Sequence, residues 1–139
     1  MKIELSQPFF KERIAIMGIG LIGGSLARAL KRHNSVGKII AYDQNEAALQ
    51  KAYELGVADE IYTDPIKAAE NADVIILATP ITAMGKIVKE IIPYLKEDAV
   101  MSDVGSTKGS VLESIKAEIG YLPERFVPAH PIAGTEKHG

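Results

Sequence analysis

The residues best equipped to do chemistry fall in a few short stretches. The first is GIGLIGG, which sets Gly18-x-Gly20-x-x-Gly23 between an apolar run and a helical pattern. In that setting each glycine has a task. Gly18 permits a tight turn, Gly20 lets the backbone approach a pyrophosphate, and Gly23 lets the next helix pack close to the sheet. Leu21 and Ile22, between them, open a helix whose unpaired N–H groups and partial positive charge suit phosphate oxygens. Asp43 follows 20 residues beyond Gly23, at the end of AYD. Its carboxylate suits the ribose hydroxyls of an adenosine. A 2′-phosphate there would face it as a second anion, and Gln44 and Asn45 supply no arginine to offset the repulsion. NAD is therefore favoured over NADP.

Three further stretches leave strands at the same rim. In Ala78-Thr79-Pro80 the proline forces an extended exit, and Thr79 could touch the cofactor or simply end the strand. In DVGSTKG, residues 103–109, Ser106 or Thr107 could cap the helix that follows. In HPIAGTE, His130 is locked in front of a proline. A lone histidine is more often structural, and His33, in a basic helix end, and His138, in the terminal tail, fit that description. His130 differs because the order of elements brings it toward the nicotinamide half of a dinucleotide. The cofactor-binding set is thus Gly18, Gly20, Leu21, Ile22, Gly23, Asp43, Thr79 and Pro80.

Positioning these residues requires a sheet. RIAIMG (13–18), KIIAYD (38–43), DVIILA (73–78), AVMSD (99–103) and RFVPA (125–129) read as strands, with a weaker EIYT at 60–63. The two strongest runs are apolar without alternation, as strands buried on both faces should be. Helical stripes lie between them: Ile22, Leu26, Ala29 and Leu30, stopping near Asn34; a segment capped by Asn45 and ending at Gly56; Met84, Ile87, Val88, Ile91 and Ile92; and Leu112, Ile115 and Ile119. Such alternation predicts an α/β fold, a doubly wound parallel sheet with helices on both faces. Pro128 cannot donate a ladder hydrogen bond, which puts the final strand at or near an edge.

The chain of 139 residues has the length of one domain, with 16 basic and 18 acidic residues and a formal net charge of −2. That balance gives no electrostatic footprint for nucleic acid or an anionic membrane. There is no cysteine, which rules out disulfides and thiolate chemistry, and three scattered histidines make no metal set. The N-terminal stretch lacks the apolar core of a signal peptide, and IAIMGIGLIGGSLARAL is too rich in glycine, and interrupted by Arg28, to make a membrane span. A cytoplasmic location is the expectation.

In GIGLIGGSLARAL, AYD, DVIILATP, SDVGSTKG and especially HPIAGTEKHG, the sequence resembles the prephenate and arogenate dehydrogenases of tyrosine biosynthesis. The likeness runs from Arg13 to Gly139. It implies an NAD-dependent oxidoreductase that oxidises the ring alcohol of prephenate, or of arogenate, while a carboxylate leaves as carbon dioxide. By the same resemblance, His130 takes the proton of the ring hydroxyl and Ser106 hydrogen-bonds beside it. Thr135 and Glu136 line the substrate pocket, and no metal takes part. The family carries a second, largely helical domain after HPIAGTE that supplies cations for the substrate and most of a homodimer interface. Residues 1–139 are accordingly expected to be the dinucleotide-binding half, a fragment or truncated gene product that binds NAD but turns prephenate over poorly. Lys108 and Lys137 are the only nearby cations. Exposed apolar surface would favour self-association. Two other readings keep the glycine turn: a stand-alone NAD(H)-sensing module, with no use for Ser106 and His130, and another dehydrogenase of the same fold, which should lack HPIAGTE.

Overall fold

Apolar runs without alternation need cover on both sides, and the sheet they form has it. The computed structural model describes residues 11–32, 36–104, 108–124 and 126–127. Its elements are β1 (Lys11–Met17), α1 (Leu21–Arg32), β2 (Val36–Tyr42), α2 (Glu46–Glu54), β3 (Glu60–Tyr62), α3 (Pro65–Ala69), β4 (Val74–Leu77), α4 (Ile81–Ile91), a 3-10 turn (Ile92–Tyr94), β5 (Val100–Asp103) and α5 (Lys108–Ile119). The strands are all parallel, in the order β3-β2-β1-β4-β5.

Strand residues alternate between two cores. Ala15, Met17, Ile40, Tyr42, Ile75 and Leu77 face α3, α4 and α5, where Met84, Val88, Ile91 and Ile115 are buried. Ile14, Ile16, Ile39 and Ala41 face α1 and α2 and meet Ala27, Leu49 and Ala52. The Asn45 carboxamide caps α2 by accepting the Ala48 N–H at 3.1 Å, as the sequence predicts.

Register aligns the strand ends. Met17 pairs with Tyr42 on one side and Leu77 on the other, and Leu77 pairs with Asp103. Gly18, Asp43, Ala78 and Val104 therefore leave the sheet along one rim. The chain steps outward from β1 to β2 and β3, then returns to the other side of β1 for β4. That reversal makes the gap between β1 and β4 the switch point, where open α/β sheets bind ligands.

Three details extend or adjust the sequence reading. The weak EIYT run does form a strand, β3, at one edge. Beyond β5, Phe126 makes a single parallel bridge with Met101, and the Val127 N–H donates to the Met101 carbonyl at 2.7 Å. That puts the last strand run beside the opposite edge, with Arg125, Pro128 and Ala129 outside the described residues, as is Asn34. The short helix α3 was not expected, although Asp64 caps it through the Ile66 N–H and Pro65 opens it.

At the opposite rim, charge replaces apolar contact. The Arg13 guanidinium forks onto Glu60, at 3.2 and 2.9 Å, and ties β1 to the edge strand. That hydrogen bond holds the Glu60 carboxyl below its ordinary range, against the opposing effect of burial. Asp73 accepts the Arg13 N–H at 3.1 Å and pairs with Lys96.

Candidate functional site

The glycine turn sorts its residues by the space around them. Gly18 has φ +107° and donates its N–H to the Tyr42 carbonyl at 2.7 Å. A side chain is disfavoured at that angle, and a Cβ would lie 2.9 Å from the Ala78 carbonyl oxygen and 3.0 Å from Thr79 Cγ2. At Gly23 a Cβ would stand 2.0 Å from the Gly18 carbonyl oxygen, so the first turn of α1 cannot carry one there. Gly20 is the opposite case: a Cβ would meet nothing within 4 Å among the described residues. Packing does not demand glycine at position 20, and the open space above it suits a close-lying ligand. The Gly24 N–H bonds the Gly20 carbonyl at 2.7 Å. The N–H groups of Leu21, Ile22 and Gly23 precede that bond and belong to the unpaired start of the helix.

Asp43 ties the two loops together. One carboxylate oxygen accepts the Ile19 N–H at 2.9 Å and the other accepts the Asn45 N–H at 2.9 Å. Each oxygen keeps acceptor capacity beyond its backbone bond, so the group is both anchored and able to take a ribose hydroxyl. On the far side of the turn, the Thr79 hydroxyl oxygen is buried with no hydrogen-bond partner among the described residues. A polar atom left so costs about 1–3 kcal/mol, and a polar ligand atom at the rim would remove that cost. The adjacent Pro80 opens α4 with no side-chain cap.

Two clefts meet over this turn. One, of about 310 Å³, is lined by Gly18, Tyr42, Asp43, Gln44, Thr79 and Ala83 among others. The second, of about 360 Å³, is lined by Leu21, Ile22, Ile81, Met84 and Val104. Both are bounded by Gly20, Ala78, Thr79 and Pro80, so they form two halves of one trough across the switch point. No lysine or arginine lines either half among the described residues. A third hollow of about 210 Å³ lies between α1 and α2, with Arg28 and Lys51 in its wall, and it touches the trough at Gly20 and Leu21. It includes neither Asp43 nor Thr79.

All eight residues expected to bind the cofactor are therefore at one rim, and seven of them line the trough. Gly23, the eighth, does not line it, and its lack of a side chain answers to packing. Leu21 and Ile22 are exposed at its mouth, at 87% and 59%. Ser106, His130, Thr135 and Glu136 lie outside the described residues, as does Lys137, and nothing is described of the Lys108 side chain. The sequence reading missed the walls: Tyr42, Ala83, Met84 and Val104. It also passed over Asp103, the buried charged residue at the end of β5, whose signal was an acid closing the apolar run AVMSD. Among the described residues no three His, Asp or Glu side chains gather as a metal site, and no helix is long and apolar enough to cross a membrane.

Strand order, glycine turn and rim aspartate together define a nucleotide-binding domain of the Rossmann type. The family described as "Prephenate dehydrogenase, nucleotide-binding domain" matches residues 26–139. The chain belongs to that prephenate dehydrogenase family. A cyclohexadienyl dehydrogenase of Zymomonas mobilis is 38% identical over 92% of this chain and 43% of its own. A prephenate dehydrogenase of Lactococcus lactis is 33% identical over 92% and 36%. Among solved structures, prephenate dehydrogenase from A. aeolicus, in complex with hydroxyphenyl propionate and NAD+, superposes with a TM-score of 0.76 at 39% identity, over 91% of this chain and 43% of that one. Synechocystis arogenate dehydrogenase gives 0.68 at 31% identity, over 77% and 37%. The chain thus spans less than half the length of each of these relatives.

Proposed function

We propose that this chain binds NAD(H) across the trough and serves as the dinucleotide-binding half of a cytoplasmic, homodimeric dehydrogenase of tyrosine biosynthesis. The substrate is prephenate, converted to 4-hydroxyphenylpyruvate, or the related arogenate. The single observation that carries the reading is Gly20: a position that, among the described residues, is open and not required by packing, between an anchored carboxylate and a buried Thr79 hydroxyl with no partner among them. The A. aeolicus relative, crystallised with NAD+ and a hydroxyphenyl acid, supports the same choice of ligands.

In this proposal the residues divide the work by type. Asp43 accepts the ribose hydroxyls, and the opening N–H groups of α1 face the pyrophosphate. The Asp43 carboxylate, with no cation beside it in the trough wall among the described residues, disfavours a 2′-phosphate. NAD, when bound, supplies the hydride acceptor. His130 accepts the proton of the ring hydroxyl as the C–H bond gives up its hydride. The carbon–carboxylate bond then breaks, its electron pair enters the ring, and carbon dioxide leaves as the ring becomes aromatic. A neutral imidazole, with an ordinary pKa of about 6.5, suits that base role near neutral pH. Ser106 holds the hydroxyl in place, and Thr135 and Glu136 line the pocket.

The coverage of relatives supports a further element of the proposal: residues 1–139 bind NADH but need partners from outside this stretch for efficient turnover. A paired assay tests it, measuring NADH binding and prephenate-dependent NADH formation for these residues and for a form extended by any reading frame that continues past Gly139. Binding in both with efficient turnover only in the longer form is the expected result. Binding in neither sinks the NAD assignment, and regulation by NADH without any prephenate turnover would point to a sensor.

A further inference from the structure

One wall of the trough is the opening of α4, and a side chain from α5 is built into it. The Ser114 hydroxyl accepts the Gly85 N–H at 3.0 Å and donates to the Ile81 carbonyl at 2.8 Å. Those two backbone groups stand four residues apart, the spacing an α-helix pairs directly. Gly85 makes the approach possible, because a Cβ there would stand 2.1 Å from the Ser114 carbonyl oxygen and 2.8 Å from Glu118 Cγ. A hydroxyl bonded to both groups ties the first turn of α4 to α5. The turn so held begins at Pro80 and presents Ala83 to one half of the trough and Ile81 and Met84 to the other.

We propose that Ser114 is a positioning residue for the dinucleotide. It is not among the residues that line the trough, and it acts by fixing the first turn of α4 at the distance from the glycine turn that the ligand spans. The proposal rests on the NAD reading above. A packing contact alone would have a different signature. Without the hydroxyl, the Ile81 carbonyl and Gly85 N–H still stand at the spacing of an ordinary helical pair, so neither group is orphaned and little stability is lost. The first turn is then free to settle elsewhere, and the loss falls on affinity.

The test is Ser114→Ala in the full chain, with melting temperature and NADH affinity measured side by side by fluorescence titration. The expected result is a near-unchanged melting temperature with a dissociation constant raised on the order of threefold or more, the displaced first turn costing about 0.7 kcal/mol or more of affinity. Unchanged affinity, or a loss no larger than the unfolded fraction accounts for, overturns the proposal. If the unsubstituted chain does not bind NADH, the NAD reading has failed first, and that outcome is separate. Should Ser114→Ala not fold, amide hydrogen exchange on the unsubstituted chain decides instead. The Gly85 amide should exchange more slowly with saturating NADH, and an unchanged rate overturns the proposal.

Discussion

Gly20→Ala separates folding from binding more cleanly than any other change in the glycine turn. The added Cβ meets nothing within 4 Å among the described residues, and Gly20 is not among the described glycines with positive φ. The fold should therefore accept it, gaining about 0.4–1 kcal/mol from the stiffer unfolded chain. The same methyl occupies the space through which backbone and pyrophosphate are proposed to approach. Overpacking of that kind costs about 1–3 kcal/mol, or roughly a five- to 150-fold rise in the NADH dissociation constant. Gly23→Ala is the control. Its Cβ would stand 2.0 Å from the Gly18 carbonyl oxygen, so α1 must shift, and the cost appears as lost stability. Thermal melting and NADH fluorescence titration on the two variants give the comparison. A folded Gly20→Ala protein that binds NADH as tightly as the unsubstituted chain would refute the reasoning.

Asp43→Ala should weaken NADH binding about tenfold or more, since a charged acceptor is removed, and narrow the preference over NADPH; parallel titrations with an unchanged preference would count against Asp43 as the discriminator. In a form competent for turnover, His130→Asn should cut the rate by roughly two or more orders of magnitude with NADH affinity retained, and normal steady-state turnover would remove the base. The Arg13 bond holds the folded Glu60 carboxyl below its ordinary range, so its contribution is full above about pH 4.3 and is lost as pH falls through the lower folded value. Glu60→Gln should therefore flatten the acid loss of stability in urea melts taken on either side of that window, and an unaltered acid slope would assign the loss to other carboxylates.

The sheet was legible because burial on both faces leaves its mark in the chain: Ile14–Met17 and Ile39–Tyr42 carry no polar residue to hide. The site's anchors were legible for the same kind of reason, since Gly18, Gly23 and Asp43 each answer a local demand at a fixed spacing. What escaped was nonlocal. Ser114 meets Gly85 across 29 residues, and neither carries a signal of the other. Met84 reads as core and Tyr42 as the end of a strand because both are buried, Ala83 carried no signal, and only the packing of α4 on the sheet turns part of each toward the trough. Helix α3 has five residues, too few for a stripe, and its marker was the pair Asp64-Pro65 instead. Gly20 was assigned with its neighbours, yet only the clearance around it separates it from Gly18 and Gly23, which answer to packing.

The central claim is that a dinucleotide lies over the ends of β1, β2 and β4. Backbone amide NMR shifts during an NADH titration test it most directly. The largest changes should fall on Gly18 to Gly24, on Asp43 to Asn45 and on Thr79, with Arg13, Glu60 and Asp73 at the opposite rim unmoved. Shifts centred instead on the Arg28–Lys51 hollow between α1 and α2, or on the Arg13 rim, would contradict the account.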